Sequence, residues 1–179
     1  RYCEDNLPDT LEFLRKMVAI NSFTENAVGI DHLSRVTAAQ FAELGFEALQ
    51  VQAEHPGFGS HLVLRRAAVA AHAPTIALLS HLDTVYTAEE EQQNDFTWRE
   101  EGERIYGPGI ADDKGGIAVV LHALKILKEA GWKDFEKLTV LFNPDEAAGS
   151  IGSGALISVH AVQQDFLRDV EPTVATLYE

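Results

Sequence analysis

The sequence predicts an α/β fold, a sheet with helices over both faces, and three observations carry that expectation. "TIALLS" (75–80) and "KLTVLFN" (137–143) are continuous apolar runs of strand length, the pattern of strands buried on both sides. "GGIAVVLHALKILKEAG" (115–131) places Ile117, Val120, Leu121, Leu124 and Leu127 on one helical stripe and ends in a glycine stop. Strand and helix patterns alternate along the chain, as they do where one sheet is covered on two sides. With 179 residues and no internal repeat or low-complexity linker, the chain has the size of one domain or a piece of a larger one.

In chain order, residues 8–20 read as a helix, with Leu11, Leu14 and Val18 on one face and Pro8-Asp9 suited to its first turn. A second helix is expected over 30–44, stopped by Gly45. "FEALQVQ" (46–52) and "HLVLRR" (61–66) alternate as half-buried strands, and 75–80 follows as a central strand. The acidic run "AEEEQQND" (88–95) reads as a solvated loop within an irregular segment. After the helix at 115–131 and the strand at 137–143, glycine-serine turns lead into a helix near 154–162. Trp98 and Trp132 read as packing residues.

There are 28 acidic residues against 14 basic ones, a formal net charge of −14, so duplex nucleic acid and anionic membrane surfaces are repelled. No nucleic-acid or membrane partner is expected. No apolar run approaches the ~20 residues of a membrane span, and the first ten residues do not form a signal peptide, which leaves a soluble chain of unassigned compartment, cytoplasmic, secreted or periplasmic. Cys3 is the single cysteine, so any metal must be held by His, Asp or Glu.

Ligands in open α/β sheets bind beyond the carboxyl ends of strands, and the chemistry-bearing residues fall there. "TIALLS" runs into His81 and Asp83, which share a side in an extended segment, so Asp83 can hold the imidazole as a neutral ligand. The same letters also fit a strand-end histidine beside a turn aspartate. "KLTVLFN" runs into Asp145 and Glu146. Asp112 and Asp113, in "GIADDKGG", precede a helix, where free N–H groups favour a carboxylate; an N-cap with its neighbour is the plainer alternative. A phosphate-binding Gly-x-x-x-x-Gly-Lys-Ser/Thr loop, a Gly-x-Ser-x-Gly elbow and a His-Glu-x-x-His helix are all missing. A histidine with carboxylates at several strand ends is a donor set suited to zinc or manganese.

"SHLDTVY", "YGPGIADDKGG" and "LFNPDEAAGS" together resemble metallopeptidase family 20, whose members include glutamate carboxypeptidases, acetylornithine deacylases, aminoacylases and dipeptidases. The resemblance covers most of the chain from Leu11 onward. It implies a three-layer αβα zinc-exopeptidase-like catalytic domain with a mostly parallel or mixed central sheet, truncated here: residues 1–179 would be the N-terminal portion, without the lid or dimerisation domain and the C-terminal catalytic segment. It further implies two zinc ions per complete site, a small-molecule or peptide substrate with a free carboxylate, and room for a homodimer through a domain outside this chain.

By the same resemblance, His81 and Asp112 look like zinc ligands, the Asp112 carboxylate bridging two ions, and the Asp112-Asp113 peptide is expected to be cis as in the family. Asp83 looks like the acid that orients His81, and Glu146 like the general base that takes a proton from the attacking water. Glu171, before Pro172-Thr173, matches a further zinc-binding carboxylate, with Glu179 as second choice; a turn residue before proline is the alternative for Glu171. Ala147 departs from the pattern, since family members usually carry a second acidic ligand there, and no later histidine in a suitable setting replaces the family's last ligand. His160 reads as solvated, and His122 as packed or solvated. These features imply a zinc-dependent metallopeptidase or amidohydrolase cleaving a bond next to a carboxylate-bearing residue. The alternative is an impaired relative with a binding or assembly role.

Overall fold

The strand that fills the middle of the sheet is the most buried one: Lys137–Asn143 has six of its seven residues buried. The computed structural model describes residues 2–68 and 72–170. Its helices are α1 (Tyr2–Val18), α2 (Ala27–Ala42), α3 (Ala88–Gln93), α4 (Gly115–Glu129) and α5 (Gly154–Ala161). Its strands are β1 (Glu47–Val51), β2 (His61–Ala67), β3 (Thr75–His81), β4 (Arg99–Glu101), β5 (Arg104–Tyr106), β6 (Lys137–Asn143) and β7 (Phe166–Asp169). Five of these form one mixed sheet in the order β1-β2-β6-β3-β7; β1, β2 and β6 pair antiparallel, while β3 runs parallel to both β6 and β7.

Strand periodicity assigns the two faces. Leu62 and Leu64 of β2 sit opposite Phe142 and Val140 of β6, which pair in turn with Ser80 and Leu78 of β3. Against this face pack Phe13 and Met17 of α1, Ile30, Leu33 and Phe41 of α2, and Ile117, Leu121 and Leu124 of α4, in one buried cluster. Phe41 meets Phe46 and Phe142 edge-on at 5.6 and 5.7 Å. Each such side chain contributes about 1.5–3 kcal/mol by leaving water, so this layer carries the stability. The opposite face presents Val63, Ala77, Thr139 and Leu141, all buried. His160 is buried rather than solvated as expected, and burial, with Arg65 and Lys137 nearby, lowers its pKa.

The expected α/β fold holds, with differences that have local causes. α1 begins at Tyr2, six residues before the expected start, with Pro8 inside it. Proline removes one N–H bond, and the helix persists because Phe13, Leu14, Met17 and Val18 anchor it to the core. The acidic run at 88–95 is exposed as expected except at half-buried Glu91, but it forms α3, because Thr87 and Glu90 make a reciprocal capping box. β2 is buried at its first four positions instead of alternating, since it lies inside the sheet, while β1 at the edge is mostly exposed. Within the segment read as irregular, β4 and β5 pair across Gly102, whose φ of 62° suits a tight turn. No helix among the described residues is long and apolar enough to cross a membrane.

Candidate metal centre

Because β3 and β6 are parallel and paired to their last residues, His81 opposite Asn143, both chains leave the sheet at one edge. The Leu82 N–H still bonds to the Asn143 carbonyl (2.8 Å), so the two exits stay together for one residue more. Asp83, fully buried, then ties three segments. Its Oδ1 takes hydrogen bonds from His81 Nδ1 (3.2 Å) and the Glu146 N–H (3.0 Å); its Oδ2 takes them from Thr24 Oγ1 (2.7 Å) and the Ala147 N–H (3.0 Å). A carboxylate offers about four lone-pair sites, and all are used. One side chain thereby fixes the histidine ring, the α1–α2 loop and the backbone of the turn that carries Glu146.

A His81 ring that donates from Nδ1 presents a lone pair at Nε2. Asp112 Oδ1 lies 2.9 Å from that nitrogen and Glu146 Oε2 lies 3.9 Å from it. His81, Asp112 and Glu146 each offer a ligand atom within 4.8 Å of the others. Two acceptors facing each other at hydrogen-bond distance repel unless a proton or a cation lies between them. The donor set of one imidazole nitrogen and carboxylate oxygens, with His81 oriented from behind by Asp83, fits a borderline divalent ion such as zinc. Asp112 and Glu146 are partly open to solvent while His81 is buried, so the group has an accessible side.

The stretch "GPGIADDKGG" shapes the other half of the group. Ile110–Lys114 form a wide turn, kinked at Asp112 and Asp113, whose mutual peptide is cis, as the family resemblance implied. The two aspartates part company there. Asp112 is exposed beside His81, whereas Asp113 is buried and accepts a bond from the Ser80 hydroxyl and another from the Gly116 N–H. Burial pushes the Asp113 pKa up to about 6, against the lowering effect of the Ser80 bond and the nearby His81. Gly116 is required because a Cβ there would strike the Asp113 carboxylate. Lys114 is also buried; its ammonium bonds to the Ile20 carbonyl at the end of α1 (2.9 Å), and burial lowers its pKa to about 8 although Glu91 opposes this. Gly109 (φ 71°) leaves room for that lysine stem, since its Cβ would lie 3.2 Å from Lys114 Cδ.

Beyond β6, Asp145 and Glu146 diverge as well. Asp145 is fully buried, taking bonds from the Gly152 N–H (2.6 Å) and the Ser153 hydroxyl. It closes the turn that presents Glu146, so only the second acid reaches the open side. Ala147 is exposed and contributes its N–H to Asp83 but no ligand. Glu171 and Glu179 lie outside the described residues. Sequence reasoning missed Thr24, Ser80 and His61. Ser80 had a readable signal: next to His81 in a strand, it must face the helical layer, where the start of α4 lies. His61 is buried on the same face as His81, its pKa lowered mainly by burial despite nearby Asp145, and nothing in the local pattern marked it. His122 is half-buried and meets the Thr10 hydroxyl (2.9 Å), consistent with packing.

Comparison with known proteins follows the same outline. The sequence profile of peptidase family M20/M25/M40 matches residues 77–176. Carboxypeptidase G2 of Pseudomonas sp. (strain RS-16) is 40% identical over 171 residues, covering 96% of this chain and 40% of that protein. An acetylornithine deacetylase of Photorhabdus laumondii is 28% identical over 172 residues, covering 93% and 43%. This chain therefore spans about two fifths of the length of these relatives. Among solved structures, human carnosine dipeptidase 1 superposes with a TM-score of 0.79 at 16% identity, covering 94% of this chain and 39% of that one. A tripeptidase from Staphylococcus aureus gives 0.73 at 24%, covering 92% and 43%. At such identities these two likenesses concern the fold.

Proposed function

This chain belongs to peptidase family M20/M25/M40, and from that premise we propose that it is the N-terminal portion of the catalytic domain of a zinc-dependent hydrolase. The reaction would be cleavage of a peptide or amide bond next to a carboxylate-bearing residue, as in a carboxypeptidase or deacylase. The observation that carries the reading is the convergence of His81, Asp112 and Glu146 within 4.8 Å, with Asp83 behind them. His81 and Asp112 would hold zinc. Glu171 is proposed as a further ligand from its spacing and the Pro172-Thr173 that follows it. A bound zinc ion polarises a carbonyl and makes water more acidic.

The remaining work belongs to the chain. Asp83 keeps the His81 proton on Nδ1 and leaves Nε2 as a donor of its lone pair. Glu146 is the proposed general base: its carboxylate, held at the mouth of the group by the two N–H bonds to Asp83, takes a proton from the attacking water and returns it to the leaving amine. A second reading follows from the same distances, because Glu146 also stands close enough to act as the third ligand where Ala147 offers none. The reading favours one well-formed zinc site and one impaired site. The substrate's free carboxylate and any homodimer contact would involve parts of the protein beyond these residues.

Glu146→Gln separates the two roles. As a base, its loss abolishes hydrolysis of N-acyl amino acids and dipeptides with zinc content little changed; as a ligand, its loss removes zinc. Full turnover in the variant would overturn both. Zinc binding without hydrolysis of any such substrate would favour the binding or assembly role that Ala147 raises.

A further inference from the structure

Loops from four parts of the chain meet beside Asp83 and enclose a cleft of about 370 Å³, within the range of small-molecule sites. Phe23 and Glu25 come from the α1–α2 loop, His55 and Phe58 from the β1–β2 loop, Val85 from the β3 exit, and Ala147 and Ile151 from the turn after β6. The cleft adjoins the residues that support the candidate metal centre. Thr24 and Ala147, which also line it, both bond to Asp83 Oδ2, and the neighbouring Glu146 N–H bonds to Oδ1. A molecule in the cleft would lie against the backbone that presents Glu146.

The walls specify the occupant. Val85 and Ile151 are 55% and 67% exposed, an unusual use of apolar side chains next to so polar a centre. Phe58 is buried at the back and stacks on His55 with ring centroids 4.2 Å apart. His55 Nδ1 accepts the Gly57 N–H (3.3 Å), so the neutral ring carries its proton on Nε2 and offers one donor to a carbonyl. Glu25 adds an acid, and the chain as a whole carries a net charge of −14, which disfavours a second anion. Ala147 matters here in a different way: a longer acidic side chain at that position would bring charge into an apolar wall.

We propose that this cleft is a recognition subsite for the uncharged, apolar side chain of a peptide or N-acyl amino-acid substrate. The assignment of the occupant as part of a substrate rests on the hydrolase reading above, whereas binding in the cleft does not require turnover. The test is therefore an equilibrium one: an amide-resolved NMR titration of the metal-free 179-residue chain with N-acetyl-leucinamide, and in parallel with N-acetyl-glutamic acid amide. The leucine probe is expected to shift the amide signals of Ala147, Ala148 and Ile151, and the acidic probe to leave them in place. Ile151→Glu, at an exposed position, is expected to weaken the leucine probe about tenfold, and Val85→Glu to act in the same direction. Equal response to both probes, no response at these amides, or binding unchanged in both variants would overturn the subsite. Loss of zinc binding or of hydrolysis with the probe response intact would overturn the hydrolase reading and leave the cleft standing.

Discussion

Two acidic regions of the molecule have similar letters and opposite fates. Glu89 and Glu90 lie exposed on α3, a helix held by its own capping box, where Thr87 keeps the Glu90 carboxyl below its ordinary pKa through two local hydrogen bonds. Asp83, Asp112, Asp113 and Glu146 come from three separate segments and meet at the edge where β3 and β6 leave the sheet. Asp83 and Asp113 are buried, and their hydrogen bonds cross from one segment to another. Acidic composition alone therefore says little about a site. Burial of the supporting acids, with open positions left to their partners, distinguishes the second region from the first.

That contrast can be broken at its strongest point first. Asp83→Ala removes four bonds at once and strands the Glu146 and Ala147 N–H groups, so we expect a loss of about 3 kcal/mol in urea denaturation, with zinc affinity reduced at least about tenfold. Asp112→Ala should separate site from scaffold: zinc binding is lost while stability stays within about 0.5 kcal/mol, because this side chain is largely exposed. On the other region, Thr87→Ala should cost no more than about 1 kcal/mol, confined to α3 and visible as faster amide exchange there. Glu89→Gln should change neither stability nor zinc binding measurably. Any effect of Glu89 on zinc would erase the distinction between the regions.

Acid supplies a finer test of the scaffold away from the centre. Burial lowers the pKa of His160, so between its folded value and 6.5 the unfolded chain binds more protons than the folded one. The stability that this neutral histidine contributes is present above pH 6.5 and is lost as pH falls through the depressed value. Replacing His160 with Gln should flatten the fall in stability between pH 7 and pH 5, measured by denaturant titration at each pH. A steeper fall in the variant would contradict the assignment.

Much of this was legible in the sequence because period and position carry it. The runs at 75–80 and 137–143 have the length and composition of buried strands, and their carboxyl ends located His81 and Glu146; family resemblance then supplied Asp112 and its cis peptide. The parts that were not legible depend on partners distant in sequence. Whether Asp83 would take Thr24 as well as His81, or whether Asp145 would turn inward to Ser153 while Glu146 turned outward, is decided by loops meeting in space. His160 looked solvated because the helix around it carries little polar-to-apolar asymmetry, and only packing in the folded chain makes it buried. The α3 helix was different, since Thr87 and Glu90 at capping-box spacing stood in the sequence beside a charge run that drew the reading toward a loop.

The most direct test of the centre is a zinc titration by calorimetry of the 179-residue chain and of His81→Ala, with bound metal counted by elemental analysis. The site built on His81, Asp112 and Glu146 predicts saturable binding of zinc by the native chain and its loss in the variant, with the fold retained by circular dichroism. Zinc binding of the same affinity and stoichiometry in both proteins, or none in either, would contradict it.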